Sequence, residues 1–237
     1  HILKHLSKDL EFKDVTDELI CLGIFGPKSR DLLSKITQDD LSNENFKFST
    51  SKNIKLNSIN VWAQRLSYVG ELGYEIYIQK ENAKEIYDLI VNTGKNFGLT
   101  HCGAHTMDTM RMESGFLHWG HDISPEENQY QAGLNFAISY KKPFDFIGKE
   151  NLLKIKDQKL ERRFVMLVLK DNTPGKPLLL HEEPIYLDDN IVGKTTSGNY
   201  SFNYNKNLSF GYINSQFSNE QLVDKNLYIE IEKKKYP

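Results

Sequence analysis

The sequence predicts an α+β chain: a mixed strand-and-helix domain over residues 1–158, then a small antiparallel β-barrel domain over residues 159–237. Three observations carry this reading. Up to residue 158, apolar runs with the period of strands alternate with stretches at helical spacing. Beyond it, short strand-like runs follow one another between Gly, Asn, Asp and Pro, the texture of a small barrel or sandwich. A charged connector, Lys156 to Arg163, lies between the two textures.

Each element has its own warrant. Asp17 to Phe25 is a nearly continuous apolar run and predicts a buried strand. Gly26-Pro27 punctuates it, and Pro27 suits the first turn of a helix carrying Leu32, Leu33 and Ile36 on one face. Lys47 to Leu56 is polar and mixed, consistent with a loop and an edge strand. Asn60 to Ser67 alternates around Val61, Ala63 and Leu66, and Gly70 and Gly73 mark a turn into a strand over Tyr74 to Ile78. Asn82 and Glu85 have capping-box spacing ahead of Ala83, Ile86, Tyr87 and Ile90, which predicts a helix. A second helix covers Ala104 to Ser114 with Gly115 as its stop, and a short one covers Asn151 to Ile155. Phe164 to Leu169, Glu183 to Leu187, Ile191 to Thr196, Leu208 to Ile213 and Leu227 to Glu232 are the strands of the second domain.

Composition narrows the function. The 237 residues carry a net charge of −2 and no long Lys/Arg block, which argues against nucleic acid as a partner. Lys233-Lys234-Lys235 reads as a solvated edge. No apolar run approaches the roughly 20 residues that span a bilayer, so no membrane role is expected. The chain opens at His1 with neither an initiator methionine nor an apolar signal core, which suits a fragment or a processed product. Cys21 and Cys102 are too few for a disulfide framework, and Cys21, inside an apolar run, reads as a small core residue. A reducing, cytoplasmic setting fits.

One stretch points toward a ligand: Tyr68-Val69-Gly70-Glu71-Leu72-Gly73-Tyr74-Glu75-Ile76-Tyr77. Alternation after Gly73 puts Tyr74, Ile76 and Ile78 on one strand face, and Glu75 and Tyr77 on the other. A carboxylate beside an aromatic suits a flat heterocycle with adjacent N–H donors, because its two oxygens accept two donors side by side. Spacing alone favours a solvated hairpin over a site. His118-Trp119-Gly120-His121-Asp122, with His101, Cys102 and His105, invites a zinc reading, but adjacent or glycine-broken spacings are wrong for a structural site, so no metal is expected. Trp119 suits an aromatic that packs on a ligand or closes a core. Ser114-Gly115 and Ser197-Gly198 lack a nucleophile elbow, and neither phosphate-binding glycine motif is present.

Several segments together resemble the folate-dependent aminomethyltransferase family, whose best-known member is the glycine cleavage T-protein. Leu22 to Arg30 resembles its G-P-x-[AS] strand-to-helix turn, and Tyr68 to Glu75 is similar to its Y-T-G-E-x-G-[FY]-E signature at all but Val69. Asp108 to Gly115 resembles D-x-L-R-L-E-x-G, Gln131 to Leu134 resembles E-A-G-L, and Phe146 to Glu150 resembles F-I-G-K-E. Glu183 to Tyr186 and Val192 to Gly198 look like the family's C-terminal barrel. Trp119 to Ile123 is closer to the C-terminal folate domains of dimethylglycine and sarcosine dehydrogenases than to the Y-G-N-D-I of free-standing T-proteins.

The resemblance implies a tetrahydrofolate-binding domain that helps form 5,10-methylenetetrahydrofolate from an amine-derived one-carbon unit. It implies a partner as well: an aminomethyl carrier protein, or a flavin dehydrogenase domain whose FAD would lie upstream or on another polypeptide. By the same resemblance Glu75 holds the pterin edge, Ile76 and Tyr77 line its pocket, and Tyr68 and Trp119 add aromatic contact. Arg111 is either a helix-anchoring ion pair with Glu113 or a neighbour, or a ligand contact. Departures qualify this. Met107 stands where the T-protein helix has a pterin-contacting arginine, and Gln131 replaces a usual glutamate. The family's catalytic aspartate belongs upstream of His1, and Asp9, Asp14 and Asp17 read as surface acids, so the catalytic residue is unknown. A binding-only remnant and a sulfonium-demethylating relative are the rivals. The iron–sulfur maturation branch would need a K-G-C-[FY]-x-G-Q-E cysteine, absent at Val192 to Thr196.

Overall fold

The computed structural model of the protein describes residues 2–170, 173–214, 222 and 225–237, and among these ten strands form two antiparallel sheets accompanied by five α-helices. The chain divides into two compact units, His1–Cys102 and Gly103–Pro237.

In the first unit, α1 (Ile2–His5) is a single exposed turn. The sheet then has the order β1 (Leu19–Phe25), β4 (Gly73–Gln79), β3 (Ile59–Gln64), β2 (Ser51–Leu56). One face carries Ile24, Ile54, Leu56, Val61, Ala63, Tyr74, Ile76 and Ile78, all buried. Onto it pack Leu32 and Leu33 of α2 (Ser29–Leu33) and Ile86 and Ile90 of α3 (Ala83–Gly94). Helices cover this face only, so strict alternation decides which side chains leave the core.

That rule corrects one expectation. Cys21 is exposed, because it shares the uncovered face with its cross-strand partner Tyr77. Helix boundaries also differ locally. Pro27 lies in the turn before α2, which stops at Leu33, while Ile36 still packs on the same core. Asn82 makes no side-chain cap; a 3₁₀ turn, Lys80–Asn82, leads into α3 instead.

The second unit opens with α4 (Ala104–Glu113), ended by Gly115 at φ +74°, and continues to α5 (Lys149–Ile155). Its sheet has the order β10 (Lys234–Tyr236), β9 (Leu227–Ile231), β6 (Pro184–Leu187), β7 (Asn190–Ser201), β8 (Lys206–Asn214), β5 (Arg162–Val168). The expected barrel is, among the described residues, an open sheet whose edges approach at one end: Lys170 N donates to Pro237 O at 2.8 Å. The lysine run near the end forms the edge strand β10, where unpaired backbone can stay solvated. Leu187, Ile185, Val192, Ile213 and Ile229 form one core cluster; Met112, Leu208 and Phe210 form another beneath α4.

Candidate binding site

The signature glycines do two different jobs. Gly70 sits at φ +75°, left-handed backbone that a side chain would strain. Gly73 allows close approach: a Cβ there would lie 2.4 Å from Phe25 Cδ1 and 2.8 Å from Ser67 Cβ. Gly26 N and Ser29 Oγ both donate to Leu72 O, at 2.8 and 3.2 Å, tying the strand-to-helix turn to the start of β4.

From there β4 presents Glu75 and Tyr77 on the uncovered face. Tyr77 Oη donates to Glu75 Oε2 at 2.8 Å. That hydrogen bond, first, and partial burial, second, push the Tyr77 hydroxyl well above the ordinary tyrosine range. Cross-strand register aligns Trp62 with Tyr77 and Gln64 with Glu75 from β3, and Cys21 with Tyr77 and Gly23 with Glu75 from β1. The Trp62 and Tyr77 rings lie 4.9 Å apart, and Trp62 is 40% exposed. Partial burial and then the Glu75 charge push the Cys21 thiol upward.

The face therefore combines a two-ring wall and a carboxylate, with the Phe25 ring lying over Gly23, where a Cβ would come within 2.8 Å of it. One lone pair of the carboxylate is used by Tyr77, and the rest can accept N–H donors along the edge of a flat ring.

Of the residues expected at the site, Glu75 and Tyr77 come together. Ile76 does not join them: it is 0% exposed on the opposite face, inside the helix-covered core, because neighbours on a strand point apart. Tyr68 is half-buried in the connection between β3 and β4, and Trp119 belongs to the second unit. Trp62 and Gln64 went unread in the sequence, although the alternation that buries Val61 and Ala63 already sends Trp62 outward.

The second unit contains a buried polar hub. Arg111 is 2% exposed and Asp122 is 1% exposed. Arg111 Nη1 donates to Asp122 Oδ2 at 2.5 Å and to Phe116 O at 3.1 Å; Nη2 donates to Ser197 Oγ at 2.9 Å and Nε to Asp108 Oδ1 at 3.1 Å. Asp122 also accepts from Thr196 Oγ1 (2.6 Å), Ser197 Oγ (2.8 Å) and His118 N (2.8 Å), while Tyr212 Oη donates to its backbone carbonyl at 2.9 Å. A β-bulge in β7 makes this possible. Register shifts between Thr195 and Ser197, so Thr196 and Ser197, though adjacent, both reach Oδ1. Arg111 is thus an anchor between α4, the turn before Asp122 and β7. Glu113, an expected partner, instead accepts from Ser201 Oγ (2.7 Å) and Asn203 Nδ2 (2.5 Å). The hub holds a turn, residues 118–122, on which Trp119 is 65% exposed and the His118 and His121 rings lie 4.6 Å apart. Among the described residues no group of three or more His, Cys, Asp or Glu side chains is arranged to hold a metal ion.

The family models described as "GCVT N-terminal domain" and "Glycine cleavage T-protein C-terminal barrel domain" match residues 1–142 and 162–237. The chain belongs to the glycine cleavage T-protein family and is an aminomethyltransferase-type domain. It is 39% identical over 229 residues to the mitochondrial dimethylglycine dehydrogenase of Homo sapiens, covering 97% of this chain and 26% of that protein. It is 33% identical to the mitochondrial sarcosine dehydrogenase of Homo sapiens, over 90% of this chain and 23% of that one. It is 34% identical to the aminomethyltransferase of Thermoanaerobacter pseudethanolicus, over 89% of this chain and 55% of that one. The chain thus spans about a quarter of the length of the dehydrogenases. The glycine cleavage system aminomethyltransferase T from Bartonella henselae shares the fold, with a TM-score of 0.77 at 19% identity, covering 92% of this chain and 57% of that one.

Proposed function

We propose that this domain binds tetrahydrofolate and takes part in one-carbon transfer, accepting an amine-derived unit to form 5,10-methylenetetrahydrofolate. The observation that carries the reading is the Glu75 carboxylate on an uncovered sheet face beside the Tyr77 and Trp62 rings. The donor set fits a pterin: a planar ring to lie along the aromatics, with neighbouring N–H groups for the carboxylate. When bound, tetrahydrofolate would supply the nucleophilic nitrogen that takes up the one-carbon unit. The chain's own contribution is orientation. Glu75 fixes the ring edge, Tyr77 Oη fixes the Glu75 carboxylate, and the wall limits the ring's tilt, which is how binding energy becomes proximity.

Tyr68 and Trp119 are carried as further aromatic contacts on the sequence resemblance alone, and the domain limits 1–158 and 159–237 on the change of texture at the charged connector Lys156 to Arg163. Proton handling is assigned to no residue here. A flavin dehydrogenase domain carrying FAD, or an aminomethyl carrier protein, is the proposed partner. The relatives named as mitochondrial set a mitochondrial address beside the cytoplasmic one expected from the sequence. Calorimetric titration of tetrahydrofolate into the wild type, Glu75→Gln and Glu75→Ala tests the reading. Affinity should fall at least tenfold in both variants, since a charge-assisted pair contributes about 1.5–3 kcal/mol; equal affinities would sink the pterin role.

A further inference from the structure

We propose that Gln64 sets the specificity of the Glu75 face by donating from its side-chain amide to the ring carbonyl of a bound pterin; the inference rests on the tetrahydrofolate reading. All the residues concerned lie in the first unit. Four side chains form a two-by-two patch on the uncovered face: Trp62 is paired with Tyr77 across β3 and β4, and Gln64 with Glu75 two residues further along. The aromatic pair is in ring contact. In the polar pair, Glu75 already accepts from Tyr77 Oη, whereas the half-buried Gln64 amide has no hydrogen-bond partner for its side chain among the described residues. Its other cross-strand neighbour is Ser51, small and exposed, which leaves the amide room to turn.

The register decides what such a pair can read. Side chains directly opposed on antiparallel strands stand roughly 5 Å apart, a spacing that matches the polar edge of a pterin. That edge carries, in order, an amino group, a ring N–H and a carbonyl: two donors, then an acceptor. A carboxylate has acceptors only, so Glu75 can answer the two donors but not the carbonyl. Gln64 brings N–H donors to the next position along the edge. A ring carbonyl laid on the protein without a donor loses its water for nothing, so a donor there selects rings that carry the carbonyl.

The test is a cycle that changes the protein and the ligand in turn, read by calorimetric titration on the 237-residue chain. The probes are tetrahydrofolate and its 4-deoxy analogue, whose ring has C–H in place of the carbonyl. Gln64→Met keeps the side chain's length and removes its donors. It should weaken tetrahydrofolate about three- to tenfold, the worth of one neutral hydrogen bond, and the analogue by less than about twofold. A merely structural role would weaken both alike. Gln64→Glu keeps the shape and turns donors into acceptors; at pH 8, where the new carboxylate is ionised, it should weaken tetrahydrofolate at least about tenfold. This second variant decides the matter where Gln64→Met fails to fold or the analogue binds too weakly to titrate. Equal losses for the two ligands, or a Gln64→Glu chain that binds tetrahydrofolate as the wild type does, overturn the inference; Glu75→Gln still weakening tetrahydrofolate would then leave the pterin reading standing. A wild type that binds no tetrahydrofolate refutes that reading first, and the inference falls with it.

Discussion

Arg111→Met should be among the most damaging single substitutions in the second unit. Methionine keeps most of the stem's volume, so the loss falls on the guanidinium. Its removal leaves the Asp122 carboxylate, 1% exposed, with three neutral donors: Thr196, Ser197 and the His118 amide. Breaking a buried pair by removing one partner costs about 3–5 kcal/mol, and the surviving donors put this case near about 3. The lost Arg111–Phe116 hydrogen bond adds about 1 kcal/mol, while Asp108, partly exposed, can turn to water. The total of about 4 kcal/mol corresponds to a melting point roughly 12 °C lower for a unit of this size. Urea and thermal unfolding followed by circular dichroism would read it. Adding Asp122→Asn removes the stranded charge and should restore roughly half the loss. A single variant within about 1 kcal/mol of wild type, or a double variant no better than the single, would refute the reasoning.

The first sheet has a sharper contrast. Ile76→Ala should cost about 2–5 kcal/mol through a core cavity, whereas Glu75→Gln, one residue away on the open face, should stay within about 1 kcal/mol in the same urea assay. With Cys102→Ser as background, Glu75→Gln should speed iodoacetamide alkylation of Cys21 at pH 8, because a charge that disfavours the thiolate is gone; an unchanged rate would show that charge to be irrelevant. Burial, with Glu127 adding and Arg162 opposing, holds the Tyr212 hydroxyl above the ordinary tyrosine range. The native state then keeps a proton that the unfolded chain releases above about pH 10, so this contribution is intact below pH 10 and declines as pH rises past it. Urea midpoints at pH 8 to 11 should fall along that limb, with a shallower fall in Tyr212→Phe.

Much of this was legible in the sequence because the physics is local. Alternation around Gly73 placed Glu75 and Tyr77 together, and Gly115 and the short strands after residue 158 marked elements to within a few residues. Cys21 was misread because an apolar run does not reveal that helices cover only one side of its sheet. Ile76 was carried into the pocket by resemblance, against the alternation that had already assigned it to the core. The hub was invisible for a different reason. Arg111, Asp122, Thr196 and Ser197 are brought together by tertiary pairing across more than eighty residues, and a bulge leaves no period to read.

That bulge also decides which kind of mutation β7 can bear. Most substitutions along the strand would alter one side chain and leave the pairing of Gly193 with Ile213 and Ser201 with Lys206 intact. Deleting Thr196 would remove the odd residue and regularise the ladder. Either the hydroxyl of Ser197 then turns from Asp122, or every residue on one side of the gap exchanges inner for outer face. The Arg111 anchor is therefore vulnerable to a change in residue count as well as in chemistry. A strand that tolerates conservative replacement at most positions would fail on losing a single codon.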